Sequence, residues 1–412
     1  MSYSLVKLYE LLQSPSRNGL TKPKAIRGSG VKMIAMGEIF ANSILDTRIN
    51  MDRVPINEKE LKNYSIQPQD ILFARQSLVL DGAGKCVIVK NIVEQTVFES
   101  HLIRIRINQK KANPYFIYYL FNSSLGKNKI RSITEQVAAA GIRGSDLIKL
   151  EIPCPELNIQ NKIAAILIAL DEKIFLNKQI NDNLQQQISE IYKAWYQDFS
   201  CASNVPMIAS EYGIIPQGWH YSIVGDLCKS ISVTHKFDTD KLIFLNTGDI
   251  EDGRFLHENY MAVSEMPGQA KKSIARGDIL FSEIRPINRH FAYVNFSAKD
   301  YVVSTKLMII RATSLDSRRL YHFLTSQDVL MELQMQAESR SGTFPQIRFD
   351  NVSKLPILIA DDKTEVAFTN LLHTVYAQIE HNNLENGKLR ALRDNLLPRL
   401  MSGELDVSEL DI

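Results

Sequence analysis

The chain has 412 residues, of which 45% are hydrophobic and 23% are charged, and its formal net charge at pH 7 is +2. These values are typical of a globular protein with room for two to three domains, and the absence of an apolar run of about 18 residues argues against a membrane-spanning helix. Four scattered cysteines without a CxxC pair, and an N-terminus without a signal-peptide core, favour a cytoplasmic protein with reduced thiols and no structural zinc site.

The first globular domain is predicted over residues 1–151 and mixes helices with strands. Its predicted elements are a short helix (5–12), a turn (14–19), a flexible basic loop (22–32), three strands (71–74, 86–89 and 102–107) and a helix (115–121). The basic loop is glycine-containing but matches no phosphate-binding motif. Because the last strand alternates apolar and basic residues, we expect one of its faces to carry positive charge.

A proline-led segment and one long amphipathic helix are predicted over residues 152–200. Apolar residues recur at steps of three or four, the spacing of a coiled-coil seam: Ile159, Ile163, Ile166, Leu170, Ile174, Leu184, Ile188, Ile191 and Trp195. Two seam positions are polar, Asn177 and Asn181. A seam asparagine costs stability but fixes the register of the helix pair, so this helix is predicted to need a partner.

The second half of the chain repeats the first. Residues 201–355 follow the same order of elements, with 277–282 resembling 69–74 and 304–311 resembling 100–107. A second helix, predicted within residues 356–412, matches the first at a constant offset of 205, and its polar seam residues Asn382 and Asn386 fall opposite Asn177 and Asn181 in this comparison. Two unrelated amphipathic helices remain the alternative, but they do not account for both asparagines. The pattern therefore predicts two copies of a domain-plus-helix unit.

The charge is distributed unevenly along the chain. Residues 1–153 hold 22 Lys and Arg against 13 Asp and Glu, residues 201–355 hold 17 of each, and residues 356–412 hold 5 against 10. A basic globular domain suits a polyanionic partner. The second domain is neutral, so charge alone does not indicate nucleic acid there.

Motifs that would carry chemistry are absent or better explained by structure. Asn113-Pro114-Tyr115-Phe116 superficially resembles the NPPY/F motif of amino-methyltransferases, but the second proline and a glycine-rich AdoMet loop are missing. Asn113 is better interpreted as a helix N-cap with Pro114 at the first helical position. Two acidic clusters, at residues 171–173 and 361–363, lie on or just before the long helices, where solvated charge is expected. The chain is therefore predicted to be a binding protein and not an enzyme.

Taken in order, several segments resemble the specificity (S) subunit of type I restriction-modification systems. The segment from Ile152-Pro153 through Gln160, Leu170-Asp171 and Asn177 to Leu184 is similar to that family's central conserved region, and residues 396–405 are similar to its C-terminal ending. Residues 215–219 (IPQGW) resemble the start of a target-recognition domain, and residues 277–282 a strand within one. The first domain lacks such a start, and its loop after Phe73 is irregular.

The resemblance implies an architecture and partners. It implies an α+β protein with two globular target-recognition domains, 1–151 and 201–355, joined by two long antiparallel helices that form a coiled coil, with a pseudo-two-fold internal repeat. It also implies that each domain reads half of a bipartite, asymmetric site in double-stranded DNA. Methyltransferase (M) subunits would bind the helices and carry AdoMet, and restriction (R) subunits would join them. From Ile163 to Trp195 the helix rises roughly 48 Å, at about 1.5 Å per residue. At about 3.4 Å per base pair this length corresponds to on the order of 14 base pairs.

Candidate DNA-binding residues follow from separating phosphate contacts from base contacts. The basic side chains of the loops are assigned to phosphates, the residues after the buried strands to bases, and three arginines lie near the domain–helix junctions. The candidates are Lys24, Arg27, Lys32, Arg75, Gln76, Ser77, Arg143, Lys271, Lys272, Arg285, Asn288, Arg289, His290, Arg340 and Arg348. Two other interpretations stay open: a coiled-coil scaffold that reads no DNA, and the S-like part of a fused methyltransferase-nuclease.

Overall fold

A computed structural model describes residues 3–47, 49–79, 82–136, 140–339 and 345–411. The chain divides into two units: unit 1 comprises residues 1–176 and 385–412, and unit 2 comprises residues 177–384. Each unit contains one globular domain and parts of both long helices. In the described part of the chain, no helix is both long and apolar enough to cross a membrane.

Unit 1 is built around a five-stranded sheet. Its strands are β1 (Leu5–Lys7), β2 (Leu12–Asn18), β3 (Val31–Ile34), β4 (Ile44–Asp46), β5 (Arg53–Val54), β6 (Ile71–Ala74), β7 (Gln76–Ser77), β8 (Cys86–Asn91), β9 (Thr96–Phe98), β10 (Leu102–Ile107), β11 (Glu135–Gln136), β12 (Ala140–Gly141) and β13 (Glu151–Pro153). Its helices are α1 (Met36–Ala41), α2 (Glu58–Tyr64), α3 (Pro114–Asn122), α4 (Ser124–Ser132) and α5 (Gly144–Leu147). The main sheet has the order β2-β10-β6-β8-β4, and smaller sheets have the orders β11-β12-β7, β5-β3-β9 and β1-β13.

Unit 2 repeats this plan around a four-stranded sheet. Its strands are β14 (Met207–Ser210), β15 (Gly213–Pro216), β16 (His220–Ile223), β17 (Cys228–Ile231), β18 (Lys241–Leu245), β19 (Ile250–Glu251), β20 (Arg254–Phe255), β21 (Tyr260–Ala262), β22 (Ala270–Ser273), β23 (Ile279–Ser282), β24 (Phe291–Tyr293), β25 (Tyr301–Ser304), β26 (Leu307–Ala312) and β27 (Pro356–Ile359). The main sheet has the order β17-β26-β23-β24, which matches β2-β10-β6-β8 of unit 1. Each unit also contains a parallel pair outside its main sheet, β3 with β9 in unit 1 and β18 with β25 in unit 2, and β4 pairs in parallel with β8 inside the main sheet of unit 1.

Two long helices carry the predicted seam. They are α6 (Leu157–Tyr196) and α11 (Asp362–Ser402); the shorter helices of unit 2 are α7 (Val224–Leu227), α8 (Ser317–Leu324), α9 (Gln327–Glu338) and α10 (Phe349–Ser353). Within unit 2 the amide of Asn382 donates to Asn181, and the ring of Phe368 contacts that of Tyr192. Within unit 1 the guanidinium of Arg393 donates to Asp171 at 2.7 Å. Ile163 and Leu167 of unit 1 belong to the same core cluster as Leu397 and Leu400, so in each unit residue numbers on α11 fall as those on α6 rise, and the two helices run antiparallel, as predicted.

The buried face of the helices is rotated slightly from the predicted seam. Ile163, Ile174 and Ile188 are buried as expected, but the next layers are formed by Leu167, Tyr192 and Tyr196, whereas Ile166, Ile191 and Trp195 are only half-buried. A straight α-helix has 3.6 residues per turn and drifts from a strict heptad, so the core-facing stripe shifts along a helix of 40 residues. All four seam asparagines are buried, with exposed fractions between 1% and 8%.

The Asn181–Asn382 pair offers a direct test of the seam. Asn382 Nδ2 donates to Asn181 Oδ1 at 2.7 Å, in a site where Asn382 is buried. Replacing Asn181 with Leu is expected to destabilise unit 2 by about 1–3 kcal/mol, because a buried donor loses its acceptor. Changing Asn181 and Asn382 together to Leu is expected to recover most of this loss. Urea unfolding measures both, and a single variant as stable as the wild type would contradict the assignment.

The start of unit 1 corrects one prediction. Residues 5–12 are not a helix: strand β1 is followed by a 3-10 helix at Leu8–Leu11, and β2 then occupies the segment predicted as a turn. Strand β1 pairs with β13, and β2 pairs with β10, so both strands are held by backbone hydrogen bonds to distant parts of the chain. The spacing of Leu5, Leu8 and Leu12 would fit a helix, but pairing with distant strands determines the conformation of this segment.

An Arg–Asp pair recurs at the centre of both main sheets. In unit 1, Arg106 Nε and Nη2 donate to the two carboxylate oxygens of Asp70, each at 2.7 Å, and Asp70 is fully buried. In unit 2, Arg311 makes the same bidentate contact with the fully buried Asp278, at 2.6 and 2.9 Å. The predicted positive face of β10 is therefore engaged within the domain: Arg106 pairs with Asp70, and Arg104 is buried and donates to the carbonyl oxygen of Ser65.

A cationic and aromatic cluster fills the core of unit 2. The fully buried guanidinium of Arg319 lies 3.6 Å from the ring centroid of Tyr196 and 4.9 Å from that of Tyr192, and it donates to the carbonyl oxygen of Leu358. His322 is buried beside it, with Nε2 at 3.1 Å from the hydroxyl of Tyr376. Burial and the neighbouring Arg319 lower the pKa of His322 from 6.5 to about 3.

This histidine makes unit 2 sensitive to acid. Between pH 6.5 and 3 the unfolded chain binds a proton at His322 that the folded chain excludes, so stability falls as the pH falls below 6.5. At pH 5 the expected loss from this residue is about 2 kcal/mol. Both tryptophans, Trp195 and Trp219, pack on aromatic side chains of unit 2, so tryptophan fluorescence during urea unfolding reports on this unit. The variant His322→Gln should lose less stability between pH 7 and 5; an equal loss in both proteins would contradict the prediction.

Candidate nucleic-acid interface

In unit 1, the loop between β6 and β8 is held by a small sheet. The two residues of β7, Gln76 and Ser77, pair with Gly141 and Ala140 of β12, and Ile142 donates its backbone N–H to the carbonyl oxygen of Arg75 at 2.9 Å. Arg143 follows directly. Arg143, which is far from Arg75, Gln76 and Ser77 in the sequence, is thus brought to the same place as these three candidates.

Unit 2 holds its equivalent loop in the same way. Ile284 forms a bridge with Gln346, Arg285 donates its N–H to the carbonyl oxygen of Pro345, and Ile347 donates to the carbonyl oxygen of Glu283. Residues 345–347 correspond to 140–142 at the offset of 205, so the pairing shows which residues of the two loops are equivalent. Glu283, Ile284 and Arg285 occupy the positions of Arg75, Gln76 and Ser77.

The equivalence extends the similarity of residues 277–282 to residues 69–74 by three positions, because 283–285 follow the one segment and 75–77 follow the other. The sequence also repeats Ile142-Arg143 as Ile347-Arg348 at the offset of 205, but it does not show which residues these pair with. The structure shows that the two loops share a backbone framework while their side chains differ at each paired position. A glutamate replaces an arginine, an isoleucine replaces a glutamine, and an arginine replaces a serine.

The tip of the loop in unit 2 is locally strained. Arg285 and Arg289 flank the 3-10 turn Pro286–Asn288, and both adopt left-handed backbone angles, with φ of 45° and 59°. These are two of the five non-glycine residues with positive φ in the described chain. Such conformations cost about 1–3 kcal/mol and cluster at functional sites. The backbone N–H of Ile287 also donates to the side chain of Gln334 on α9.

Several candidates present side chains to solvent without a described partner. Within the described ranges, no hydrogen bond or ion pair engages the side chains of Lys24, Lys271, Arg285, Asn288 and Arg348, which are exposed, or that of Arg75, which is half-buried. Side chains in this state are available to a ligand without first breaking a hydrogen bond or ion pair to another described residue.

Other candidates are already engaged within their own unit. Arg143 pairs with Glu135 at 2.7 Å, and both side chains are largely exposed. Arg27 pairs with Asp52, and Arg289 donates to Asp252 from Nε and Nη2. Gln76 contacts His101, Ser77 accepts from Val79, and the Nδ1 atom of His290 lies 2.8 Å from the carbonyl oxygen of Ile250. These exposed or half-exposed pairs are weak enough to exchange for phosphate or base contacts.

Two lysines face inward. The ammonium of Lys32 is buried, donates to the carbonyl oxygen of Thr47 at 2.5 Å and pairs with Glu94. It is therefore not accessible to a phosphate group of DNA. Lys272 is half-buried and donates to the carbonyl oxygens of Thr305 and Leu307; burial lowers its pKa. Both side chains therefore connect segments of their own domain. Arg340 lies outside the described residues.

The motifs considered for catalysis have structural roles. The side chain of Asn113 accepts hydrogen bonds from the N–H groups of Tyr115 and Phe116, as expected for the N-cap of α3. Asp171 accepts hydrogen bonds from Tyr119 and Arg393, and Glu172 pairs with Lys90. Across the described ranges, no group of three or more His, Cys, Asp or Glu residues is arranged to hold a metal ion.

Comparison with known proteins agrees with the two-copy architecture. A family model for the type I restriction modification DNA specificity domain matches residues 3–186 and 216–390. The HindI specificity subunit of Haemophilus influenzae is 39% identical over 181 residues, which are 43% of this chain but only 39% of that relative. The MjaIX specificity subunit of Methanocaldococcus jannaschii is 25% identical over 309 residues, 72% of this chain and 70% of the relative. The crystal structure of an S subunit from M. genitalium has the same fold, with a TM-score of 0.56 over 99% of this chain and 97% of that one at 13% identity.

Proposed function

The chain belongs to the type I restriction-modification DNA specificity family, and on that premise we propose that it selects the DNA sequence for such a system. Each globular domain reads one half of a bipartite, asymmetric site in double-stranded DNA. The chain itself performs no catalysis. It binds methyltransferase subunits, which carry AdoMet, and restriction subunits join that complex.

The observation that carries this proposal is the pair of equivalent loops. Both are fixed by backbone pairing to the segment that precedes a long helix, and they differ in chemistry at each paired position, from Arg75 against Glu283 to Ser77 against Arg285. Two identical frameworks with different donors and acceptors suit two half-sites of different sequence, because base edges in the major groove are distinguished by their hydrogen-bonding pattern.

We assign roles to the candidates by their accessibility. Arg75, Gln76 and Ser77 in unit 1, and Arg285, Asn288, Arg289 and His290 in unit 2, contact bases. Lys24, Arg27 and Lys271 contact phosphates, and Arg143 and Arg348 contact DNA beside the loops. Lys32 is left out because its ammonium is buried, and Lys272 is left out because its ammonium is held by two carbonyl oxygens. The two long helices set the gap between the half-sites and bind the methyltransferase subunits.

Genome-wide mapping of adenine methylation tests the proposal. A host that carries this chain with the methyltransferase gene beside it is compared with a host that carries the methyltransferase alone. We expect a split motif with a fixed gap that disappears when this chain is omitted. Methylation of the same motif without this chain would overturn its role in target choice and favour the scaffold interpretation. Purified chain that methylates DNA alone would favour the fused-enzyme interpretation.

A further inference from the structure

In each of the two equivalent loops, exposed apolar residues form the tip and lie next to the polar candidates in the sequence. In unit 1, Leu78 and Val79 follow directly after β7 and are 96% and 64% exposed. In unit 2, Ile287 is 43% exposed at the middle of the 3-10 turn. A single exposed aliphatic residue is common on protein surfaces. The two loops, however, share this feature two residues after the position that the backbone pairing makes equivalent.

The backbone pairing establishes that position. Ser77 is paired with Ala140 as Arg285 is hydrogen-bonded to Pro345, and these partners correspond at the offset of 205. Two residues beyond the paired position stand Val79 in one loop and Ile287 in the other. The two units thus differ in charge and hydrogen-bonding capacity at the paired residues but keep a β-branched aliphatic side chain at the tip.

Hydrogen bonds hold both tips in place although their side chains are exposed. The N–H of Val79 donates to Ser77 Oγ, and its carbonyl oxygen accepts from the N–H of Gly82. The N–H of Ile287 donates to Gln334, and the turn that contains it is closed by a hydrogen bond from Asn288 to Arg285. These backbone hydrogen bonds hold residues whose apolar side chains stay exposed to water. Exposed apolar side chains contribute no hydrophobic stabilisation to the fold, which favours a role for the tip in binding.

We infer that Val79, with Leu78, and Ile287 each contact the C5 methyl group of a thymine in the half-site read by their unit. In the major groove, this methyl group is the one apolar feature of the base edges, and aliphatic side chains recognise it by contact. The surroundings favour DNA over a protein partner: Arg75 and Gln76 stand beside one tip, and Arg285 and Asn288 beside the other. These side chains can donate to the hydrogen-bond acceptors of the base edges that surround the thymine methyl group in the major groove.

The inference rests on the proposed function and predicts which base each half-site contains. Once the methylated motif is mapped, duplexes that carry it are prepared with uracil in place of one thymine at a time, which removes only the C5 methyl group. Affinity is measured by fluorescence anisotropy for the full chain in complex with its methyltransferase. We expect one uracil in each half-site to weaken binding about fourfold, as for the loss of one buried methyl group.

Alanine variants connect the methyl group to the side chain. In Ile287→Ala, the uracil effect should disappear in one half-site and persist in the other, and the pair Leu78→Ala/Val79→Ala should show the reverse. Val93→Ala and Ile214→Ala, which shorten aliphatic residues of similar exposure elsewhere in the two units, serve as matched controls. Thermal unfolding of each variant confirms that it is folded.

Each outcome decides the inference separately from the proposed function. A half-site without thymine, neutral uracil at all thymines, or an unchanged uracil effect in the tip variants would overturn it while the split motif stands. Tip variants that lose methyltransferase binding but keep the uracil effect would assign the tips to a protein contact. The absence of any motif that depends on this chain would instead overturn the proposed function.

Discussion

Replacing Arg285 with Ala is expected to relax base selection in one half of the methylated motif and to leave the other half unchanged. Arg285 is exposed, has no side-chain partner among the described residues, and is held on a left-handed backbone by pairing with Pro345. An arginine that donates two hydrogen bonds to one guanine contributes about 1–3 kcal/mol of discrimination. We therefore expect roughly five- to 150-fold more methylation at sites that differ from the motif at one position.

Arg75→Ala is the matched experiment in unit 1, where the corresponding loop is paired with β12. It should relax the opposite half-site, and Arg285→Ala combined with Arg75→Ala should relax both. Lys271→Ala provides the contrast expected for a phosphate contact: binding weakens equally on all sequences, and the salt dependence of affinity decreases by about one unit of slope. If Arg285→Ala weakens methylation equally at all sites, this residue contacts phosphate and not a base.

Much of the fold could be predicted because the two halves of the chain can be compared with each other. The offset of 205 between Asn177–Asn181 and Asn382–Asn386 identified the two helices and, with them, two copies of a domain. Strands β6 and β8 and helix α3 were predicted correctly from apolar runs and from the N-cap Asn113. The segment before residue 19 was wrong, because its conformation depends on strands more than 80 residues away.

The candidate site could be predicted less well for a physical reason. Residue type shows that an arginine is cationic, but it does not show whether that charge is already neutralised. Arg104 and Arg106 alternate with apolar residues in strand β10, and this pattern predicts an exposed basic face. In the structure, however, Arg104 is buried and Arg106 is paired with Asp70. Lys32 belongs to a basic stretch and faces inward. The pairing that holds Ser77 and Arg285 joins them to residues more than 55 positions away, which no local pattern encodes.

The recurrent Arg–Asp pair leads to the prediction with the largest effect on stability. Replacing Asp70 with Ala is expected to destabilise unit 1 by about 3–5 kcal/mol, because it leaves a mostly buried guanidinium without a counter-charge. The same carboxylate accepts the N–H of Gln67, in the turn where Gln69 has a φ of 69°, so this turn loses an anchor as well. Arg104 lies beside the pair with its own pKa lowered by burial, which leaves two cations close together.

The unit 2 counterpart should cost less, and the difference tests the explanation. Asp278 is as buried as Asp70, but the side chain of Arg311 is 43% exposed against 17% for Arg106, so Arg311 can be solvated once its partner is removed. We expect about 2 kcal/mol for Asp278→Ala. Glu135→Ala, which breaks the exposed pair with Arg143, should cost less than about 1 kcal/mol. Urea unfolding followed by circular dichroism and tryptophan fluorescence measures all three.

If Asp278→Ala is as costly as Asp70→Ala, the anchoring of the preceding turn is the main contribution and the guanidinium charge is not. Asp278 also accepts the N–H of Ala275, before Gly277 with its φ of 92°, and this anchoring is common to both units.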